Sequence, residues 1–199
     1  MKRIVTLILL AATFSSSIHA CEHRAVVCEL IRQVDAAQSP MALEKVEALA
    51  KEGNSDAQLA LGTLYGLGKG VPQDDAKALV WLMQVARSGD PRAQSIVGNF
   101  YAAGRAGPID LAEAKKWYDV AAKGGDPDAQ AMLGLLYARG EGAPMDYATA
   151  YYWFTLASIG GAEKATEYMN LVRPYLTPVE RSGAEEKVKT WKPVRTIMH

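Results

Sequence analysis

The sequence repeats itself every 36 residues. Gly53, Gly89, Gly125 and Gly161 mark the period. Between these marks the same residues return in step: Ala57-Gln58, Ala93-Gln94 and Ala129-Gln130; Gly62, Gly98 and Gly134; Tyr65, Tyr101 and Tyr137; Gly68, Gly104 and Gly140. Pro72, Pro108 and Pro144 follow, then Asp74, Asp110 and Asp146, Ala78, Ala114 and Ala150, and Trp81, Trp117 and Trp153. A fixed period of about 20–50 residues marks a solenoid, in which one unit cannot bury its own apolar face and neighbours stack to do so. Function is constrained too, because stacked equivalent units present an extended surface and seldom enclose a catalytic pocket.

Each unit reads as two helices. Asn54, Asp90 and Asp126 stand where an N-cap belongs, since a short acceptor side chain satisfies a free backbone N–H there. Pro91 and Pro127 follow at the first helical position, where a missing N–H costs little. Ala57, Leu61 and Tyr65, four apart, share a face of the first helix. Gly62, Gly98 and Gly134 lie inside that helix, at a cost of about 1 kcal/mol against Ala; close approach of a neighbouring helix is the expected return. Gly68 and its equivalents suit the left-handed residue that ends a helix. Asp74, Asp110 and Asp146 then cap the second helix, with Asp110 and Glu113 spaced as a capping box. The repeated Trp sits on the packed side of that second helix.

The ends depart from the period. A helix from about His23 to Gln38 and a second from Ser39 to Lys51 precede the repeats. At the other end Ala162 lacks the cap, Asn170 replaces the helix glycine, and Arg173-Pro174 interrupts the pattern. Thr177-Pro178-Val179-Glu180 then announces a helix with cap, Pro at N1 and Glu at N3, expected to run to Trp191, which would cover the last open face. The basic tail from Lys192 to His199 is expected to fray. The resulting division is a signal peptide over 1–20, N-terminal capping helices over 21–52, and repeats over 53–88, 89–124 and 125–160. A partial unit over 161–170 and a capping helix with tail over 171–199 complete it.

Residues 1–20 have the layout of a secretory signal: basic Lys2-Arg3, an apolar run from Ile4 to Phe14, then a polar stretch up to Ala20. The apolar run is too short to span a bilayer comfortably. Its removal takes the chain from 22 positive against 22 negative residues to 20 against 22. That near-neutral balance gives no electrostatic footprint for nucleic acid. Export to an oxidising compartment makes a Cys21–Cys28 disulfide chemically possible. On one continuous helix their Cα atoms would lie roughly 10 Å apart, beyond the bridging limit of about 7 Å, so the bond requires Cys21 to precede the helix and fold back. Alternatively, Ile18-His19-Ala20-Cys21 partly matches a bacterial lipobox, which would lipidate Cys21 and tether the protein to a membrane; His19 and the polar spacer fit that pattern poorly.

The run Ala57-Gln58, Leu61-Gly62, Tyr65, Gly68-Lys69-Gly70-Val71, Asp74, Lys77-Ala78, Trp81 and Ala86 resembles the Sel1-like repeat. The resemblance covers about residues 53–170 and departs in the middle copy, where Gly104-Arg105-Ala106-Gly107-Pro108 replaces the glycine-valine bend. It implies an all-α fold, an α/α solenoid related to tetratricopeptide repeats, wound as a right-handed superhelix of helix pairs with capping helices at both ends. It also implies a non-enzymatic periplasmic adaptor, a monomer that binds another protein on the concave face lined by the first helices. An immunity protein that neutralises a secretion-system toxin is the alternative within the same class. A cell-envelope hydrolase is the alternative from another class, supported by compartment alone. The candidates for exposed positions on the concave face are Leu59, Thr63, Leu67, Arg92, Ser95, Asn99, Asp128, Ala131, Leu135 and Arg139, which vary between copies while the packing positions do not.

No chemistry competes with this reading. After signal removal only His23 and His199 remain, one near each end, so no nucleophile, base and acid set assembles. A zinc site would need more Cys or His, and no cofactor is implied. Gly66-Leu67-Gly68-Lys69-Gly70 lacks the phosphate-loop pattern and follows a helix. The three period-36 Trp residues are core before they are a carbohydrate platform. Asp74-Asp75 and Asp126-x-Asp128 have no calcium-loop spacing.

Overall fold

The computed structural model describes residues 25–34, 39–105, 107–194 and 196–198. Among these residues the regular structure is entirely helical. The chain divides between Asp74 and Asp75 into two compact units. The signal segment, Cys21, His23 and His199 lie outside the described residues.

In the first unit, helix α1 (25–34) turns Val27, Leu30 and Val34 inward. Helix α2 (Pro40–Lys51) opens as its sequence requires: the Ser39 side chain accepts from the Ala42 N–H and Pro40 takes the first turn. Its buried stripe is Ala42, Val46 and Ala50, spaced four apart. Helix α3 (Ser55–Leu67) is capped by Asn54, whose Oδ1 accepts from Ala57 N at 2.9 Å, and ends on Gly68 at φ 65°. Two bonds tie α3 to α2: Gln58 Nε2 donates to the Ala50 carbonyl at 3.0 Å and the Tyr65 hydroxyl donates to Glu47 Oε1 at 3.1 Å. In the bend after α3, a Cβ on Gly70 would sit 2.3 Å from the Val34 carbonyl oxygen, so only glycine lets α1 end there.

The second unit continues as α4 (Asp75–Arg87), α5 (Pro91–Ala102), α6 (Leu111–Lys123), α7 (Pro127–Arg139), α8 (Tyr147–Ile159) and α9 (Ala165–Val172). A 3-10 turn over Arg173–Tyr175 and α10 (Pro178–Thr190) complete it. Each helix from α4 to α9 packs on the next, the stacking of an α-solenoid. Four of the caps predicted from sequence are present along these helices. Asp90 accepts from Arg92 and Ala93, Asp126 from Ala129, Asp110 from Glu113 and Asp146 from Thr149. The helix glycines do what their cost requires. A Cβ on Gly98 would lie 2.7 Å from the Tyr118 ring, and one on Gly134 2.7 Å from the Phe154 ring. Tyr118 and Phe154 are fully buried because those positions carry no side chain.

A polar seam joins successive repeats. Gln94 Nε2 donates to the Ala86 carbonyl and Gln130 Nε2 to the Ala122 carbonyl, each at 3.1 Å, as Gln58 does in the first unit. Both glutamines are buried, and these bonds offset the desolvation that burial imposes on an amide.

Four expectations need correction. Asp110 and Glu113 form only half a capping box. The Asp110 N–H already donates to the Tyr101 carbonyl at 3.1 Å, so the Glu113 carboxylate turns to Lys116 Nζ at 2.6 Å. The reciprocal box forms instead at Thr177 and Glu180. In the middle copy α5 stops at Ala102 and caps on right-handed Ala103, with the left-handed glycine, Gly104, one residue later. Trp191 does not close the last face. Helix α10 packs on α8 through Ala184, but Trp191 reaches back to the core of Tyr118, Leu133 and Trp153, its ring edge 3.5 Å from where a Gly125 Cβ would be. Nor does the described tail fray: the Val194 N–H donates to the Lys123 carbonyl at 2.7 Å, and the Met198 N–H to the Arg87 carbonyl at 3.3 Å.

Candidate interaction surface

The first helices, α3, α5 and α7, carry the ten positions singled out from the sequence. In the first unit Leu59 and Thr63 are half-buried, with the Thr63 hydroxyl donating to the Leu59 carbonyl at 2.9 Å, while Leu67 is exposed. In the second unit Arg92, Asn99, Asp128 and Arg139 are exposed and Leu135 is half-buried. Ser95 and Ala131 are not available: they retain 4% and 7% exposure. They occupy equivalent positions, one period apart, and each is covered by the start of the following repeat. The Ser95 hydroxyl donates to the Asp126 carboxylate, and Ala131 packs with Ala157 and Ala165. Helical spacing placed them on the exposed side; the overlap of successive first helices buries them.

Among the exposed positions Arg92, Asp128 and Arg139 are charged, and both arginines are locally tied. Arg92 bonds Asp90 through Nη2 at 2.8 Å. Arg139 sits 3.9 Å from Glu141, a loose surface pair. The Asn99 side chain faces outward yet accepts from the Tyr118 hydroxyl at 2.7 Å, so it belongs partly to the core. Burial pushes the Tyr118 phenol well above its ordinary range, which keeps the hydroxyl a donor. The irregular middle bend has its own anchor. Arg105 pairs with Asp75, with Nε 3.0 Å from Oδ2, and its guanidinium lies 4.2 Å from the centre of the Phe100 ring.

Sequence reasoning missed a cleft. Between α8 and α10 lies a cavity of about 660 Å³ lined by Asp146, Thr149, Tyr152, Trp153, Glu180 and Lys187. The Tyr152 and Trp153 rings meet edge-on at 4.9 Å. Its two acids are helix caps. Burial raises the Asp146 carboxyl, but the Thr149 hydroxyl and N–H outweigh it and hold the group below its ordinary range. The Thr177 hydroxyl and N–H do the same for Glu180. Both stay ionised and bonded near neutrality, an arrangement that can hold a side chain or small ligand but is not tuned for proton transfer. No signal in the sequence pairs Asp146 with Glu180, because the register of α10 on α8 is set by packing. Among the described residues no group of three or more His, Cys, Asp or Glu could hold a metal ion, and no helix is long and apolar enough to cross a membrane. Cys28 is exposed, and both the disulfide and the lipid proposed for Cys21 fall outside the described residues.

The Sel1 repeat pattern matches residues 55–90, 91–126 and 127–161, three copies that cover more than half of the chain. The chain belongs to the Sel1 repeat family. The matched copies begin two residues after the glycine marks, at the helix starts. Among solved structures, this Sel1 repeat protein is similar to a Sel1 repeat protein from Oxalobacter formigenes at 38% identity and a TM-score of 0.58, over 64% of this chain and 96% of that one. It is also similar to c5321, a protective antigen present in uropathogenic Escherichia coli strains and displaying an SLR fold, at 28% identity and a TM-score of 0.57. That match takes in 77% of this chain but only 41% of the antigen. Comparison with curated proteins finds no match. Sel1 repeat proteins generally serve as protein–protein interaction modules, typically without catalysis.

Proposed function

We propose that this Sel1 repeat protein is a non-enzymatic adaptor, exported to the periplasm of a Gram-negative bacterium, that binds a partner protein on the concave face of its first helices. The observation that carries the reading is the contrast along those helices. Ala93 and Ala129, Gln94 and Gln130, and Gly98 and Gly134 are identical in the two copies and buried. The exposed neighbours differ, Arg92 against Asp128 and Asn99 against half-buried Leu135. A scaffold holding its packing constant while its exposed side chains change is what a grafted binding surface requires. Charged side chains at the rim favour a partner of complementary charge.

The test is affinity capture from envelope extract with the tagged full-length protein, beside the variants Arg92→Glu and Arg139→Glu. The reading expects one protein at stoichiometric yield, lost in at least one variant whose thermal melt matches wild type. Capture of no partner, or equal capture by both variants, overturns the concave-face reading. Mass spectrometry of the mature N-terminus decides export and the state of Cys21.

A further inference from the structure

Helix C-termini leave backbone carbonyls without intrahelical partners, and in this chain those carbonyls follow a pattern. After α4, the N–H groups of Ser88, Asp90 and Gly89 take the carbonyls of Gln84, Val85 and Ala86. After α6, those of Gly124, Asp126 and Gly125 take Val120, Ala121 and Ala122. Each turn therefore leaves over the carbonyl of the last helical residue, Arg87 or Lys123, one period apart. After α8 the turn uses Leu156, Ala157 and Ser158 and leaves over Ile159. Within the first unit the turn after α2 uses Ala48, Leu49 and Ala50 and leaves over Lys51.

The chain's own C-terminal tail takes two of these acceptors. Val194 N–H bonds Lys123 at 2.7 Å and Met198 N–H bonds Arg87 at 3.3 Å, so the tail advances four residues while the scaffold moves back one repeat. Between them Gln94 Nε2 donates to the Thr196 carbonyl at 2.9 Å as well as to Ala86. Holding both carbonyls leaves Gln94 Oε1 buried with no partner among the described residues. The side chains contribute little, for Val194 and Ile197 remain 61% and 60% exposed. The contact is main chain to main chain, the mode by which extended peptides gain affinity while side chains stay free.

We propose that the Arg87 and Lys123 carbonyls, with Gln94, form a docking track for an extended cationic peptide of a partner protein, and that Val194, Thr196 and Met198 of the chain's own tail are its built-in competitor. The track reads N–H groups four residues apart and the carbonyl between them. The partial negative charge at helix C-termini favours cationic residues, and the tail itself contains Lys192 and Arg195. The proposal rests on the reading of the protein as a binding module but not on the concave face.

The probe is a fluorescent peptide with the sequence of residues 192–199, titrated by anisotropy into the full-length protein and into a full-length variant carrying Val194→Pro and Met198→Pro, which removes both tail N–H donors. The expected result is binding to the variant at least tenfold tighter than to wild type. It should weaken at least fivefold on adding Gln94→Leu and be lost when the peptide is N-methylated at the positions of Val194 and Met198. Equal binding by the N-methylated peptide, or no binding to a variant with wild-type circular dichroism, overturns the proposal. A wild-type dimer formed through exchanged tails assigns the track to a second copy and overturns it as well. Should the variant fail to fold, amide exchange on the wild-type protein decides. Val194 and Met198 should exchange more slowly than in the free peptide yet faster than the α6 core. Free-peptide rates show an undocked tail and core-like rates a tail that cannot be displaced, and either result overturns the proposal. Peptide binding that survives while envelope capture fails removes the concave-face reading alone.

Discussion

The ring of Tyr118 lies so close to Gly98 that a Cβ on the glycine would sit 2.7 Å from its Cδ1. Phe154 covers Gly134 in the same way, at 2.7 Å. Both rings are buried, so neither can swing aside into solvent. Alanine at either glycine gains about 1 kcal/mol of helix propensity but forces an overpacking cost of about 1–3 kcal/mol. Gly98→Ala and Gly134→Ala should each lower the midpoint of urea unfolding, whereas Gly183→Ala, in α10 with open space around it, should raise it slightly. A stabilised Gly98→Ala would refute the account of the helix glycine.

Asp90 and Asp126 are equivalent caps with opposite titration. Burial raises the Asp90 carboxyl, but the Arg92 guanidinium and the N–H groups of Ala93 and Arg92 prevail and bring it below the ordinary 3.8. Its contribution is therefore present above 3.8 and lost as pH falls through the lower folded value. Asp126 has no such cation; burial outweighs the Ala129 N–H and the Ser95 hydroxyl and lifts it above 3.8. Its contribution is full below 3.8 and lost as pH rises through the higher folded value. Asparagine caps as well as aspartate. Relative to wild type, Asp126→Asn should therefore gain stability as pH rises from about 3 to 6, and Asp90→Asn should lose it. Thermal melts across that range check the two slopes, and parallel curves would refute the assignment.

Arg105 holds the irregular bend of the middle copy to Asp75, with Phe100 beneath it. The pair is half-buried, so its worth is about 1 kcal/mol, near the upper end for exposed ion pairs. Arg105→Ala should cost about that much. A double-mutant cycle with Asp75→Asn should show coupling of about 0.5–1 kcal/mol that falls with added salt. Arg105→Lys should not restore it, since the lysine lacks the planar fork.

Among the surface candidates, Arg92→Ala, Asp128→Ala and Arg139→Ala should change stability by no more than about 0.5 kcal/mol. Asn99→Ala removes the acceptor for the Tyr118 hydroxyl and should cost about 1–3 kcal/mol. Chemical denaturation separates the groups, and only the first three are clean probes of partner capture.

Much of the fold is legible because it is local. Asn54, Asp90 and Asp126 cap wherever a helix starts after them, and the position of a cap needs no knowledge of the rest of the chain. Gly98 signalled close approach by its own cost. The exposure of Ser95 and Ala131 was misread because a helical wheel shows which residues share a side, not how far the next helix slides over it. Asp110 failed to complete its box because a distant carbonyl, that of Tyr101, had taken its N–H. The α8–α10 cleft and the tail left no periodic trace at all.

The sequence by itself determined the repeating unit, since caps, glycines and apolar spacing each act within a few residues and recur at 36. The tertiary structure alone decided the path of the tail. Val194, Ile197 and Met198 are spaced as on a helix, yet the described tail residues form none; what holds Val194 and Met198 is the main-chain acceptor left over at the end of α6 and of α4, with the Gln94 amide donating to Thr196 between them. Those acceptors line up only after the helices have packed, so no stretch of sequence encodes the row.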